Sequence, residues 1–93
     1  MNCWLLTAQL TERSATRYTP AGLPALDIGL KHESEVSEDG QARKVTFECR
    51  AVAIGAITQR VMQLGLGSSA QFGGFVSSAR NGRGMLFHVT ALD

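Results

Sequence analysis

The feature that most constrains the fold of this chain is a two-residue alternation of apolar and polar side chains in five separate segments. Such alternation is typical of β-strands that bury one face. The segments are Trp4 to Leu10, Leu26 to Lys31, Val45 to Ile54, Ala70 to Ala79 and Met85 to Leu92. Because 93 residues suffice for only one core, we expect a single domain over residues 1–93.

One segment departs from this alternation. Ile57, Val61 and Leu64 recur at helical spacing, and Gly65 follows them as a residue that can end a helix. The order of three strands, a short helix and two strands is that of the oligonucleotide-binding (OB) fold. We therefore predict an all-β protein, a five-stranded OB-fold barrel with a short helix between strands 3 and 4. A small open antiparallel sheet with one helix packed on it is the alternative.

The connections between these elements have distinct compositions. Residues 19–22 (Thr-Pro-Ala-Gly) predict a turn, and residues 80–84, with Asn-Gly at their centre, predict a hairpin connection. The acidic stretch 33–40 is expected to be a flexible connection between strands 2 and 3. Paired Gly73 and Gly74 inside a strand indicate a strong bend or a close backbone approach, as at a barrel corner.

The net charge of +1 conceals an uneven distribution. Four of the eight acidic residues lie between Glu33 and Asp39, so nine basic residues face only four acids in the rest of the chain. A basic face is therefore expected, provided that the acidic stretch points away from it. No apolar run is long enough to span a membrane, and the N-terminus lacks the basic flank of a signal peptide, so we expect a cytoplasmic protein.

Few residues suggest catalysis or metal binding. The two histidines and two cysteines lack the spacing of a zinc site, and Cys49 lies on the apolar side of its strand as a small hydrophobe. The glycine pairs at 65/67 and 82/84 lack the lysine and serine or threonine of a phosphate-binding loop. We therefore expect a binding protein with no enzymatic activity, no cofactor and no metal.

The basic residues are concentrated on the elements that bind oligonucleotides in an OB barrel. A single-strand binder needs cations along the phosphates and flat side chains on which bases stack. Five candidates lie in the first and last loops: Arg13, Arg17, Tyr18, Arg80 and Arg83. Five more belong to strands 2 and 3: Lys31, Arg43, Lys44, Phe47 and Arg50. We predict that these ten residues form a DNA-binding surface.

The aromatic residues allow two interpretations each. Phe47 either packs in the core, as its neighbours Cys49 and Ala51 suggest, or stacks on a base. Trp4 is expected in the core or at a subunit interface rather than against a base. Phe72 and Phe87 are expected in the core, whereas Phe75 and Tyr18 are undecided. His32 is interpreted as a structural histidine at the end of strand 2.

Several motifs in order resemble the single-stranded DNA-binding protein superfamily and, within it, the family of primosomal replication protein N (PriB). They are Pro20-x-Gly22-Leu23-Pro24, residues 30–34 (Leu-Lys-His-Glu-Ser), residues 74–77 (Gly-Phe-Val-Ser) and Asn81-Gly82-x-x-Met85-x-x-His88. The resemblance implies a homodimer that binds single-stranded DNA and the PriA helicase in the replication-restart primosome, where it helps reload the replication machinery at stalled forks. It implies DNA contacts at Arg17, Arg80 and Arg83.

The chain departs from the family pattern at three places. Phe47 stands near the position of the family's tryptophan, and Glu33 stands where relatives have a basic residue. Lysines around the last turn are also reduced to two arginines. We therefore expect weaker DNA affinity and a larger role for helicase contact. The alternative function is an OB protein-interaction module, for a helicase or a single-stranded DNA-binding protein, with little DNA affinity of its own.

Overall fold

The computed structural model describes residues 1–79 and 82–93. In these two ranges the chain forms β1 (Trp4–Arg13), β2 (Arg17–Tyr18), β3 (Pro24–Glu38), β4 (Gln41–Ile54), α1 (Ile57–Gln63), β5 (Ser69–Ser78) and β6 (Met85–Leu92). The five long strands follow the order β1-β5-β6-β4-β3, and β1 also pairs with β3, so the sheet closes on itself. The predicted closed OB barrel is confirmed, with α1 between the third and fourth long strands, and the open-sheet alternative is wrong.

The core is formed by the inward face of each long strand. Phe72 and Phe87 are its largest fully buried side chains, as predicted, and Val61 of α1 packs among the strand residues with no exposed surface. The helical spacing of residues 57, 61 and 64 therefore covers the barrel with one apolar stripe. No helix in the described residues has the length and apolar character needed to cross a bilayer.

The predicted bend at Gly73 and Gly74 is confirmed. The pairing of β5 with β6 shifts register between these two residues, as in a β-bulge. A Cβ atom at position 74 would lie 1.8 Å from the carbonyl oxygen of His88, so only glycine fits there. Glycine at position 74 therefore allows the two backbones to approach where the sheet curves into a barrel.

The prediction of a flexible acidic connection is wrong. β3 continues through the acidic residues to Glu38, and β4 begins at Gln41, directly opposite. The two residues between them, Asp39 and Gly40, both have positive φ angles of 51° and 78°, as a type I′ turn requires. Aspartate tolerates this conformation, and glycine adopts it freely, so Asp-Gly closes a long hairpin.

This hairpin projects from the barrel. Pairing of β1 with β3 ends at Lys31, and pairing of β6 with β4 begins at Ala51. In the part of the chain that the structure describes, residues 32–47 therefore pair only with one another, and we call them the arm. The arm makes the molecule elongated, with a longest dimension of 49 Å and a radius of gyration of 14.0 Å. A compact domain of this length has a radius of gyration of about 12 Å.

The first loop is shorter than the sequence suggested. Arg13 is the last residue of β1, and Arg17 and Tyr18 form β2 against Ala25 and Pro24. The prediction that these three residues lie in an open loop is therefore wrong. The predicted turn at residues 19–22 is confirmed, because the Gly22 amide donates to the Thr19 carbonyl at 2.8 Å.

Candidate nucleic-acid interface

Acidic and basic residues alternate on the outer face of β3 and β4. Glu35 lies opposite Lys44, and Lys31 lies opposite Glu48. Directly opposed residues of an antiparallel pair point to the same face, so opposite charges are neighbours there. The condition that the acidic stretch point away from the basic residues is not met. This face is close to electrically neutral and has no basic track for a phosphate chain.

Most of the candidate cations on these strands are in ion pairs. The pairs are Lys31 with Glu33 (Nζ to Oε1, 3.6 Å), Arg43 with Glu38, and Arg50 with Glu12 (Nη1 to Oε2, 2.9 Å). Exposed pairs of this kind contribute little to stability, so a phosphate can compete for the cation. Each such phosphate contact must displace a carboxylate, however, and therefore contributes less binding free energy than contact with an unpaired cation. Lys44 is exposed and forms no ion pair with any described residue.

Arg17 and Tyr18 are placed side by side on β2. The Arg17 guanidinium binds both carboxylate oxygens of Asp27, at 2.8 Å from Nε and 3.0 Å from Nη2. The hydrogen bonds to Asp27 raise the pKa of Arg17 above its ordinary value, and the charge of Asp27 adds to this effect. Tyr18 is 71% exposed and faces solvent near Met62 of α1. Tyr18 is therefore a surface aromatic, while Arg17 already has an anionic partner.

Arg13 has a structural role. Its Nη1 donates to the carbonyl oxygens of Val61 at 3.2 Å and of Leu64 at 2.6 Å, at the C-terminal end of α1. The Val61 carbonyl also accepts from the Leu64 amide at 3.2 Å, and a cation at the end of a helix interacts favourably with the helix dipole. The half-buried Arg13 thus attaches α1 to β1 instead of projecting from a loop towards DNA.

The structure describes only one of the two arginines of the last turn. Arg80, with its neighbour Asn81, lies outside the described residues, so its DNA contact stays a prediction. Arg83 is exposed and stands between Gly82 and Gly84, which both have positive φ angles. The Ala79 amide donates to the Gly84 carbonyl at 3.2 Å, which closes the end of the β5–β6 hairpin. Arg83 is therefore presented at a hairpin tip.

Phe47 lies at the base of the arm, outside the core cluster, and is half-buried. The core-packing interpretation of this residue is therefore wrong. Phe47 borders a groove of about 360 Å³ formed by residues of β1, β4, β5 and β6. The groove is lined by Trp4, Phe47, Glu48, Cys49, Arg50, Val76, Met85 and Phe87.

The lining of this groove is mostly apolar and aromatic. Trp4 is half-buried, and its ring centroid lies 5.4 Å from that of Phe87, so it contacts the core and also lines the groove. Met85 is 66% exposed. Glu48 and Arg50 also border the groove, and the Arg50 guanidinium is in its ion pair with Glu12. The tip that presents Arg83 is two residues from Met85. Flat apolar surfaces beside cations are what a single strand needs for stacking and phosphate contact.

Three further residues singled out in the sequence are Phe75, Cys49 and His32, of which only Cys49 lines the groove. Phe75 is 40% exposed on the outer face of β5, and its ring stacks on His88 at 4.5 Å with an interplanar angle of 8°. Cys49 packs against the core, as predicted, and burial raises the pKa of its thiol. His32 lies within β3 rather than at its end, and both ring nitrogens have hydrogen-bond partners. The described residues contain no group of three or more histidine, cysteine or acidic side chains placed to hold a metal.

Comparison with known proteins agrees with this geometry. A family model described as "Another single-strand binding protein family" matches residues 2–91. Replication restart protein PriB of Bordetella pertussis is 45% identical over 80 residues, which cover 86% of this chain and 75% of that protein. The chain belongs to the PriB family.

Solved structures of PriB and of a single-stranded DNA-binding protein share the fold. PriB from Ralstonia solanacearum matches with a TM-score of 0.90 and 31% identity, covering 100% of this chain and 96% of that one. The single-stranded DNA-binding protein from Thermus aquaticus matches with a TM-score of 0.75 and 26% identity, covering 100% of this chain and 49% of that one. The resemblance predicted from the sequence motifs is thereby confirmed.

Proposed function

We propose that the protein binds single-stranded DNA in the cytoplasm as an accessory factor of replication restart, and that it binds the PriA helicase to help reload the replication machinery at stalled forks. The observation that supports this most directly is the groove in which Phe47 and Trp4 are both accessible on an OB barrel. Membership of the PriB family supports the same role. The proposal assigns the chain binding steps and no catalysis.

The DNA affinity in this proposal comes mainly from stacking. A base stacked on an aromatic side chain contributes about 1–3 kcal/mol. Phosphate contacts are few, because the cations of β3 and β4 are largely paired with carboxylates. Each phosphate contact on a single strand adds about −0.7 to the slope of log affinity against log salt. Because Arg50 is held by Glu12, we expect Arg83 to be the main contact and the slope to be shallow, about −0.7.

A fluorescence-polarisation titration with labelled oligo-dT at two salt concentrations tests this function. Phe47→Leu should weaken binding about tenfold by removing one stacking surface. The matched control is Phe75→Leu, which changes an exposed phenylalanine outside the groove and should alter affinity less than about twofold. Arg83→Ala should make the slope of log affinity against log salt shallower by about 0.7. Equal affinities for the two phenylalanine variants would exclude the groove as the binding site.

The ion pairing also favours a second candidate function, an OB module that binds a helicase or another replication protein and has little DNA affinity of its own. Calorimetric titration with PriA distinguishes the two. If the second function holds, helicase binding should survive Phe47→Leu and Arg83→Ala, and little oligo-dT binding should be seen even at low salt. Measurable oligo-dT binding that depends on Phe47 selects the first function.

We also propose that the protein acts as a homodimer through β1. Leu5 is 67% exposed, and the pairings described for residues 4–8 are all with β5, on one edge of β1. Sedimentation equilibrium should show a dimer that Leu5→Glu weakens, while Thr46→Glu on the arm does not. A wild-type monomer at micromolar concentration would contradict this.

A further inference from the structure

The side chain of His32 fixes the point at which the arm leaves the barrel. The backbone pairing of β1 with β3 ends at Lys31, and the next residue, His32, continues the connection through its ring. Nδ1 lies 2.7 Å from the carbonyl oxygen of Thr7 in β1, and Nε2 lies 2.8 Å from Oγ of Ser34. A carbonyl oxygen only accepts, so Nδ1 has a proton and donates to it, and in the neutral ring Nε2 accepts from the Ser34 hydroxyl. Both nitrogens are engaged, and the ring has one orientation.

This oriented ring contacts Phe47. The two residues are directly opposed in the β3–β4 register, and their ring centroids are 5.0 Å apart at an angle of 37°. Phe47 lines the groove, whereas His32 is not among the described residues that line it. His32 therefore contacts the Phe47 ring from outside the groove.

We infer that His32 is a positioning residue for single-stranded DNA, and that it holds the Phe47 ring at the edge of the groove where a base stacks. This inference rests on the proposed function. Among the described residues no third strand pairs with the arm, so few neighbours restrict the rotamer of Phe47. A contact from a ring that is itself held by two hydrogen bonds lowers the entropy that Phe47 must lose when a base stacks on it.

A double-mutant cycle tests the inference by oligo-dT affinity. His32→Ala should weaken binding about fivefold in the wild-type background and less than about 1.5-fold in a Phe47→Leu background, because the positioned ring is then absent. Val36→Ala, on the same face of the arm and 46% exposed, controls for loosening of the arm and should change affinity less than about 1.5-fold. If His32→Ala does not fold, His32→Asn retains an N–H donor for the Thr7 carbonyl and replaces it in the cycle.

A second readout does not involve DNA. With 4-fluorophenylalanine incorporated, the ¹⁹F resonance assigned to position 47 by Phe47→Leu should move towards the solvent-exposed value in His32→Ala and stay unchanged in Val36→Ala. An equal loss of affinity from His32→Ala in both backgrounds, or an unmoved resonance, overturns the inference while leaving the proposed function intact. An oligo-dT affinity unaffected by Phe47→Leu overturns both.

Discussion

Replacement of Arg13 by alanine tests the structural role of a residue that the sequence placed at the DNA. The substitution removes two charge-assisted hydrogen bonds, at 3.2 Å to the Val61 carbonyl and 2.6 Å to the Leu64 carbonyl. A hydrogen bond to a charged group contributes about 1.5–3 kcal/mol, and a cation at a helix C-terminus about 0.3–1 kcal/mol. Because the site is only half-buried, water replaces part of this interaction. We expect a loss of about 2 kcal/mol in the free energy of unfolding.

Equilibrium urea unfolding at a fixed protein concentration measures this loss. With a denaturant dependence of about 1–1.5 kcal/mol/M, the midpoint should fall by about 1.3–2 M. The matched control is Arg60→Ala, which removes an exposed arginine of α1 and should change stability by less than about 0.5 kcal/mol. Arg13→Ala should also leave oligo-dT affinity unchanged under conditions in which the variant is folded. Equal unfolding midpoints for the two variants would refute the assigned role of Arg13.

Three further predictions concern the barrel, the thiols and the ion pairs. Gly74→Ala should lower the unfolding midpoint severely or prevent folding, because the new Cβ would lie 1.8 Å from the His88 carbonyl oxygen. Gly73→Ala should be tolerated, because its Cβ would make ordinary contacts at 3.5 Å and beyond. Iodoacetamide at pH 8 should modify Cys49 more slowly than the exposed Cys3, as mass spectrometry can measure. The reason is that burial raises the pKa of the Cys49 thiol and lowers its thiolate fraction. Glu12→Gln should release Arg50 and steepen the salt slope of oligo-dT binding by about 0.7; an unchanged slope would show that Arg50 does not contact phosphate.

The barrel could be predicted because strand burial is a local property of the sequence. Alternation shows which residues of a strand face a core, and the helical spacing of residues 57, 61 and 64 identifies α1. The arm was missed because its acidic composition suggested solvent-exposed coil. A signal was present in Asp39-Gly40, since Asp-Gly is a preferred two-residue hairpin turn and predicts that both flanking segments are strands.

The site was harder to predict because it depends on register. Which carboxylate lies beside Arg50 follows from the pairing of β1, β3 and β4, and the sequence does not specify that pairing. Phe47 has the alternation phase of a core residue, but its strand extends beyond the barrel, so the same face is only half-covered there. Alternation identifies the face of a strand and does not show where the core beneath it ends. The contribution of Trp4 to the groove was underestimated for the same reason.

The single tryptophan of the chain gives the most direct test of the groove, because Trp4 lines it beside Phe47. Tryptophan emission, recorded during a titration with unlabelled oligo-dT at low salt, should be quenched saturably, with a midpoint equal to that from fluorescence polarisation. Phe47→Leu should shift both midpoints to higher concentration together. Oligo-dT binding seen by polarisation with no change in Trp4 emission would show that the strand lies elsewhere on the protein.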